Sequence, residues 1–211
     1  DVIDNDNVFQ VCFTDPNQGT ASAQYIGENK LAAKVAVIYD SSDVYSSGIE
    51  ANFVKEAQNQ GLEVVAEEAF TADSKTDFST QLQKAQSAGA ELVFLPIYYT
   101  EASIILTQAD SMGYAPTFFG CDGLDGLLGV ENFNTELAEG VMLLTPFAAD
   151  ADDEWRGTSW KDAGGWTGSG TSCWAGGTAN IGRLDLCMWT AESGKILFQL
   201  WKTGTENRVD L

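Results

Sequence analysis

The feature that most constrains the fold is an alternation of short apolar runs with amphipathic segments before residue 150. The apolar runs are rich in β-branched and aromatic residues. They are almost continuously apolar, which is typical of strands buried on both faces of a sheet. The predicted strands are 34–39, 62–69, 91–97 and 117–120, flanked by 8–13 and 141–144.

Between these runs, apolar residues recur at spacings of three and four, as they do on one face of a helix. The pattern is clearest at Ile49, Phe53 and Ala57. Three such patterns each end in a glycine, where a left-handed residue can close the helix. The glycines are Gly61, Gly89 and Gly113. This alternation predicts an α/β fold, a doubly wound parallel sheet flanked by helices.

Composition removes several classes of function. The chain carries a net charge of −20 and has no histidine. Such an acidic surface repels nucleic acids, so we exclude a nucleic-acid partner. Without histidine there can be no histidine triad or histidine metal site, and no phosphate-binding glycine loop follows a predicted strand. These absences predict no catalytic residue, no cofactor and no metal.

A change of composition near residue 154 divides the chain. All six tryptophans and all three arginines lie after this point, and the whole acidic excess lies before it. We therefore predict one folded domain over 1–150 and an atypical, poorly ordered tryptophan- and glycine-rich tail over 155–211. A shifted reading frame or a fused foreign segment would explain the tail, and we favour the first.

Polar and aromatic side chains follow the predicted strands, where ligands bind in parallel α/β sheets. They include Tyr45, Tyr98, Tyr99 and Asp122. The residues alone leave two interpretations open for each. The tyrosines could contact a ligand or be half-buried rim aromatics, and Asp122 with Gly123 could hold a ligand or form a turn.

A family resemblance covers about residues 8–147, with order and spacing kept. It is carried by the segments KVAVIYDSSDVYSSGIEANF, DFSTQLQK, PTFFGCDGL and LAEGVMLLTP. These segments resemble the leucine/isoleucine/valine-binding proteins, the substrate-binding subunits of ABC importers. The resemblance implies one lobe of a type I periplasmic-binding fold, mainly the second lobe, with hinge strands at 8–13 and 141–146.

The resemblance also implies roles for the strand-end residues. Tyr45 matches a ligand-facing tyrosine of a YxxG turn, and Tyr98, with Tyr99 beside it, matches a second one. Asp122 matches an acidic residue that holds the ligand ammonium in the family. It is one methylene shorter than the usual glutamate. The groups that bind the ligand carboxylate are expected on a first lobe preceding Asp1.

The function that this resemblance implies is the extracytoplasmic binding component of a bacterial ABC importer. Its expected partners are a branched-chain amino acid and a membrane permease. We expect the protein to be a monomer and to lie in the periplasm or at the cell surface. We expect the signal sequence to lie outside this chain. Two alternatives remain open: a ligand-sensing domain of a receptor or transcriptional regulator with the same fold, and a doubly wound enzyme.

Overall fold

The computed structural model describes residues 13–145 and, beyond them, the backbone of two further strands. The described helices are α1 (Asp15–Glu28), α2 (Val44–Gln60), α3 (Ser79–Ser87) and α4 (Tyr99–Ser111). The described strands are β1 (Lys34–Asp40), β2 (Glu63–Phe70), β3 (Leu92–Leu95), β4 (Thr117–Gly120), β5 (Met142–Thr145), β6 (Asp185–Thr190) and β7 (Lys195–Leu200).

The strands form one sheet in the order β2-β1-β3-β4-β5-β6-β7. The first five strands pair in parallel, which confirms the predicted doubly wound parallel sheet. The chain first moves outward from β1 to β2, and then returns past β1 to β3. The order therefore reverses between β1 and β3, and the crevice at their carboxyl ends is where such sheets bind ligands.

The strands β6 and β7 extend the sheet by antiparallel pairing, with β6 next to β5. The sequence does not predict these strands. Most of the tail at 155–211 lies outside the described residues, so its poor order and its origin stay predictions. The predicted hinge strand at 8–13 also lies outside the described residues, apart from Phe13. The predicted hinge strand at 141–146 overlaps β5.

Successive side chains of β1 point to opposite faces of the sheet, into two apolar layers. Val35 and Val37 point to the side of the sheet that α1 and α2 cover. Ala36 and Ile38 point to the opposite side, which α3 and α4 cover. All four side chains are fully buried. This two-sided burial explains why the strand is an unbroken apolar run and has no alternating pattern.

Helix α1 is not predicted from the sequence, because small side chains form most of its buried face. Gly19, Ala21 and Ala23 are buried there, and the two large apolar residues of that face, Tyr25 and Ile26, are adjacent in the sequence, so they mark no helical period. A β-carbon at Gly19 would lie 2.2 Å from the carbonyl oxygen of Ile49. Gly19 therefore lets the backbones of α1 and α2 approach closely.

The glycines predicted to close helices adopt the expected conformation. The φ angles are +71° at Gly61, +76° at Gly89 and +66° at Gly113, values that favour glycine over any residue with a β-carbon. Each turn brings the chain directly into the next strand. Within the described part of the chain, no helix has the length and apolar character to cross a membrane.

Candidate functional site

Two tyrosines meet at the crevice between β1 and β3. Tyr45 lies in the first turn of α2, which follows β1, and Tyr98 caps the amino-terminal end of α4, which follows β3. Their rings stack with centroids 5.0 Å apart and an interplanar angle of 21°. Tyr98 is 43% exposed, whereas Tyr45 is half-buried. The pair therefore presents an aromatic surface to solvent at the switch point, the crevice where the strand order reverses between β1 and β3.

The hydroxyl group of Tyr45 is held by two hydrogen bonds. It donates to Asp122 Oδ1 at 2.6 Å and accepts the backbone N–H of Gly123 at 2.9 Å. Burial raises the pKa of Tyr45, and the neighbouring Cys121 and Asp122 raise it further. The phenol therefore stays protonated and acts as a donor to the carboxylate.

Asp122 lies directly after β4, in a short 3₁₀ turn that runs from Asp122 to Leu124. Its Oδ1 atom accepts a second hydrogen bond, from Nε2 of Gln18 at 2.9 Å. Its backbone N–H donates to Gln18 Oε1 at 3.1 Å. The three residues fix the orientation of the carboxylate, and no hydrogen bond to Oδ2 occurs within 13–145.

Gln18 is the main site residue that the sequence does not reveal. It follows a predicted strand and so belongs to the polar strand ends, but nothing in the sequence distinguishes it from its neighbours. In the structure it lies on the buried face of α1 and is 0% exposed. A fully buried amide needs hydrogen-bond partners, and Asp122 supplies two of them.

The surroundings of the site are acidic. Burial raises the pKa of Asp15, and the nearby carboxylates of Asp122 and Asp43 raise it further. Asp43 also caps α2 by accepting the backbone N–H of Tyr45 at 3.3 Å. The pKa of Tyr98 is raised by burial and by the same three carboxylates. The arrangement therefore favours a positively charged group at the crevice.

The structure brings together three of the four predicted site residues: Tyr45, Tyr98 and Asp122. The ring of Tyr99 lies instead beside Gly126, whose φ angle is +103°. No hydrogen bond or ring stacking joins Tyr99 to the other three within 13–145. Tyr99 is 43% exposed, and its contact with a ligand stays a prediction.

Comparison with known proteins gives a consistent result. A family model described as periplasmic binding protein matches residues 3–165. Leu/Ile/Val-binding protein homolog 3 of Brucella melitensis is 33% identical over 119 residues, which cover 56% of this chain and 32% of the relative. The leucine-specific-binding protein of Salmonella typhimurium is 31% identical over 139 residues, which cover 65% of this chain and 37% of the relative.

Solved structures agree with these relatives. The leucine-binding protein of Thermotoga maritima matches with a TM-score of 0.62 and 30% identity, over 68% of this chain and 40% of the other. The branched-chain amino acid transporter substrate-binding protein of Streptococcus pneumoniae, solved with isoleucine, matches with a TM-score of 0.60 and 30% identity. The match covers 67% of this chain and 39% of the other. The chain spans about a third of the length of the curated relatives it matches.

Proposed function

Because the chain belongs to the periplasmic binding protein family, we propose that it is the solute-binding component of an ABC importer and binds a branched-chain amino acid. Residues 13–145 form one of two lobes that close on the ligand. The observation that carries this proposal is the network of Gln18, Tyr45 and Asp122, which fixes a carboxylate beside an exposed aromatic surface at the switch point.

In this proposal Asp122 is the counter-ion of the ligand ammonium. Closure of two lobes removes the amino-acid zwitterion from water, so each charge needs a partner. Oδ1 of Asp122 already accepts hydrogen bonds from Tyr45 and Gln18, which leaves Oδ2 to accept from the ligand. The carboxylates of Asp15 and Asp43 add to the negative potential around the ammonium.

The two tyrosines then have different roles. The hydroxyl of Tyr45 donates its only proton to Asp122 and accepts from Gly123, so it holds the counter-ion in place, and its ring is the part that meets the ligand. Tyr98 is more exposed and offers both its ring and its hydroxyl. Tyr99 contacts the ligand from the rim. The apolar side chain of a branched amino acid suits these ring surfaces.

The remaining partners follow from the same proposal. The second lobe binds the ligand carboxylate and completes the apolar pocket, and hinge motion between the lobes encloses the ligand. The protein works as a monomer outside the cytoplasmic membrane and delivers its ligand to a membrane permease. It binds and releases the ligand without chemical change, so it needs no catalytic group or cofactor.

The test compares L-leucine with 4-methylpentanoate, which has the same carbon skeleton and carboxylate but no ammonium. We use a chimera in which residues 13–145 replace the matched segment of the Thermotoga maritima leucine-binding protein. Calorimetry should show that leucine binds at least about 30-fold more tightly, because a buried carboxylate without its partner is costly. Equal affinities would show that Asp122 does not bind an ammonium group.

A further inference from the structure

Lys75 connects two buried carboxylates near the tyrosine pair. It lies in the loop between β2 and α3, and its Nζ atom is 2.9 Å from Asp40 Oδ2 and 3.1 Å from Glu101 Oε1. Asp40 is 4% exposed and Glu101 is 8% exposed. A single partly exposed lysine thus compensates two carboxylates that are largely removed from water.

The two carboxylates belong to the two segments that carry the stacked tyrosines. Asp40 ends β1, and the chain then runs through a short loop into Tyr45. Glu101 lies in the first turn of α4, which Tyr98 caps. Beyond the pairing of β1 with β3, the two segments are therefore joined in two places, by the ring stack and by the Lys75 bridge.

The two ends of the bridge are held unequally. Asp40 also accepts the backbone N–H of Ser42 at 2.9 Å, and Ser42 in turn accepts the backbone N–H of Ala72, which precedes Lys75. Glu101 Oε2 is buried and has no hydrogen-bond partner among the described residues. Within that part of the chain, Lys75 is the one cation that pairs with Glu101.

We propose that Lys75 is a positioning residue: by pairing with Asp40 and Glu101 at the same time, it holds the Tyr45 and Tyr98 segments at the distance that lets the two rings stack. Without it, two like charges in a poorly solvated space repel each other and push the segments apart. The effect on ligand affinity rests on the proposed function, whereas the effect on the ring stack does not.

The hydrogen bonds of Lys75 to the two carboxylates agree with this role. The hydrogen bond to Asp40 raises the pKa of Lys75, and the one to Glu101 raises it further, although burial acts in the opposite direction. Lys75 also lowers the pKa of Tyr98, against the larger opposing effects of burial and the carboxylates. The charge of Lys75 therefore acts on one of the stacked rings as well as on both supporting segments.

The experiment uses the 211-residue chain and nuclear magnetic resonance of the tyrosine rings. Lys75→Met should abolish the mutual ring-current shifts of Tyr45 and Tyr98. Lys84→Met is the matched control, because Lys84 forms an exposed ion pair with Glu68 at 2.7 Å, away from both tyrosine segments. The control should leave the ring shifts unchanged.

A second variant separates charge compensation from simple anchoring of the loop. Adding Glu101→Gln to Lys75→Met removes the repulsion and should restore the ring shifts. Adding Glu68→Gln to Lys75→Met should not restore the ring shifts. If Lys75→Met does not fold, the same pair of second substitutions is compared by thermal unfolding. Only Glu101→Gln should then recover the folded chain.

Wild-type ring shifts in folded Lys75→Met would overturn the proposal, and so would equal effects of the two second substitutions. In the chimera, Lys75→Met should weaken leucine binding roughly tenfold, a usual size of coupling between contacting residues, with recovery on adding Glu101→Gln. If the unsubstituted chimera does not bind leucine, the proposed function fails, and the ring shifts alone decide the role of Lys75.

Discussion

Asp122→Asn should weaken leucine binding to the chimera by at least about 30-fold, because truncating one partner of a buried, hydrogen-bonded charge pair costs about 2–5 kcal/mol. Asparagine keeps the size of the side chain and can still accept from Tyr45 and Gln18. It removes the negative charge that balances the ligand ammonium. Calorimetry at one pH and one salt concentration gives the ratio of dissociation constants.

Two further variants make this result specific. Asp125→Asn changes a neighbouring carboxylate by the same chemistry, and that residue has no assigned ligand contact, so binding should change little. Asp122→Glu keeps the charge and has the reach that is usual in the family, so it should bind leucine as well as the wild type. If Asp122→Asn and the wild type bind equally, Asp122 only stabilises its turn, for which asparagine is equally suitable.

Gly19→Ala should lower the free energy of unfolding by about 3 kcal/mol, the upper range for overpacking a close contact. The added β-carbon would lie 2.2 Å from the carbonyl oxygen of Ile49 and 2.8 Å from the backbone nitrogen of Phe53. Both atoms belong to the backbone of α2, so the two helices must separate. Urea unfolding measures the change.

Gly48→Ala is the control for this effect. Gly48 lies inside α2, and a β-carbon there would meet nothing within 4 Å. Alanine should therefore stabilise the chain by about 0.5–1 kcal/mol through its higher helix propensity. If the two substitutions changed stability by the same amount and in the same direction, the close approach of α1 and α2 would not be a feature of the folded chain.

The sequence predicts those parts of the fold whose signals are local. Strands such as β1 are buried on both faces, so their sequences are continuous apolar runs. The glycines that close helices, such as Gly61, are needed for a positive φ angle. Helix α1 gives no such signal, because its close contact with α2 requires a small residue at Gly19 and leaves no apolar period.

The candidate site was predicted only in part, for a related reason. The rule that ligands bind at strand ends, together with the family resemblance, indicates Tyr45, Tyr98 and Asp122. The contact between Tyr45 and Asp122 joins residues from separate strand ends, so its geometry appears only in the folded chain. Gln18 and Lys75 act on carboxylates that are distant in the sequence, and no spacing rule could identify them.

The central claim is that residues 13–145 hold an amino acid at the carboxyl ends of β1, β3 and β4. The most direct test is a titration of the isotope-labelled 211-residue chain with millimolar L-leucine, followed through its backbone amide resonances. One lobe alone should bind weakly, since in the proposed function the second lobe pairs with the ligand carboxylate. We predict that the amides of Tyr45, Tyr98 and Gly123 shift together. Shifts that map instead to the open depression of about 240 Å³ lined by Ile104 and Phe133, or no shifts at all, would contradict the claim.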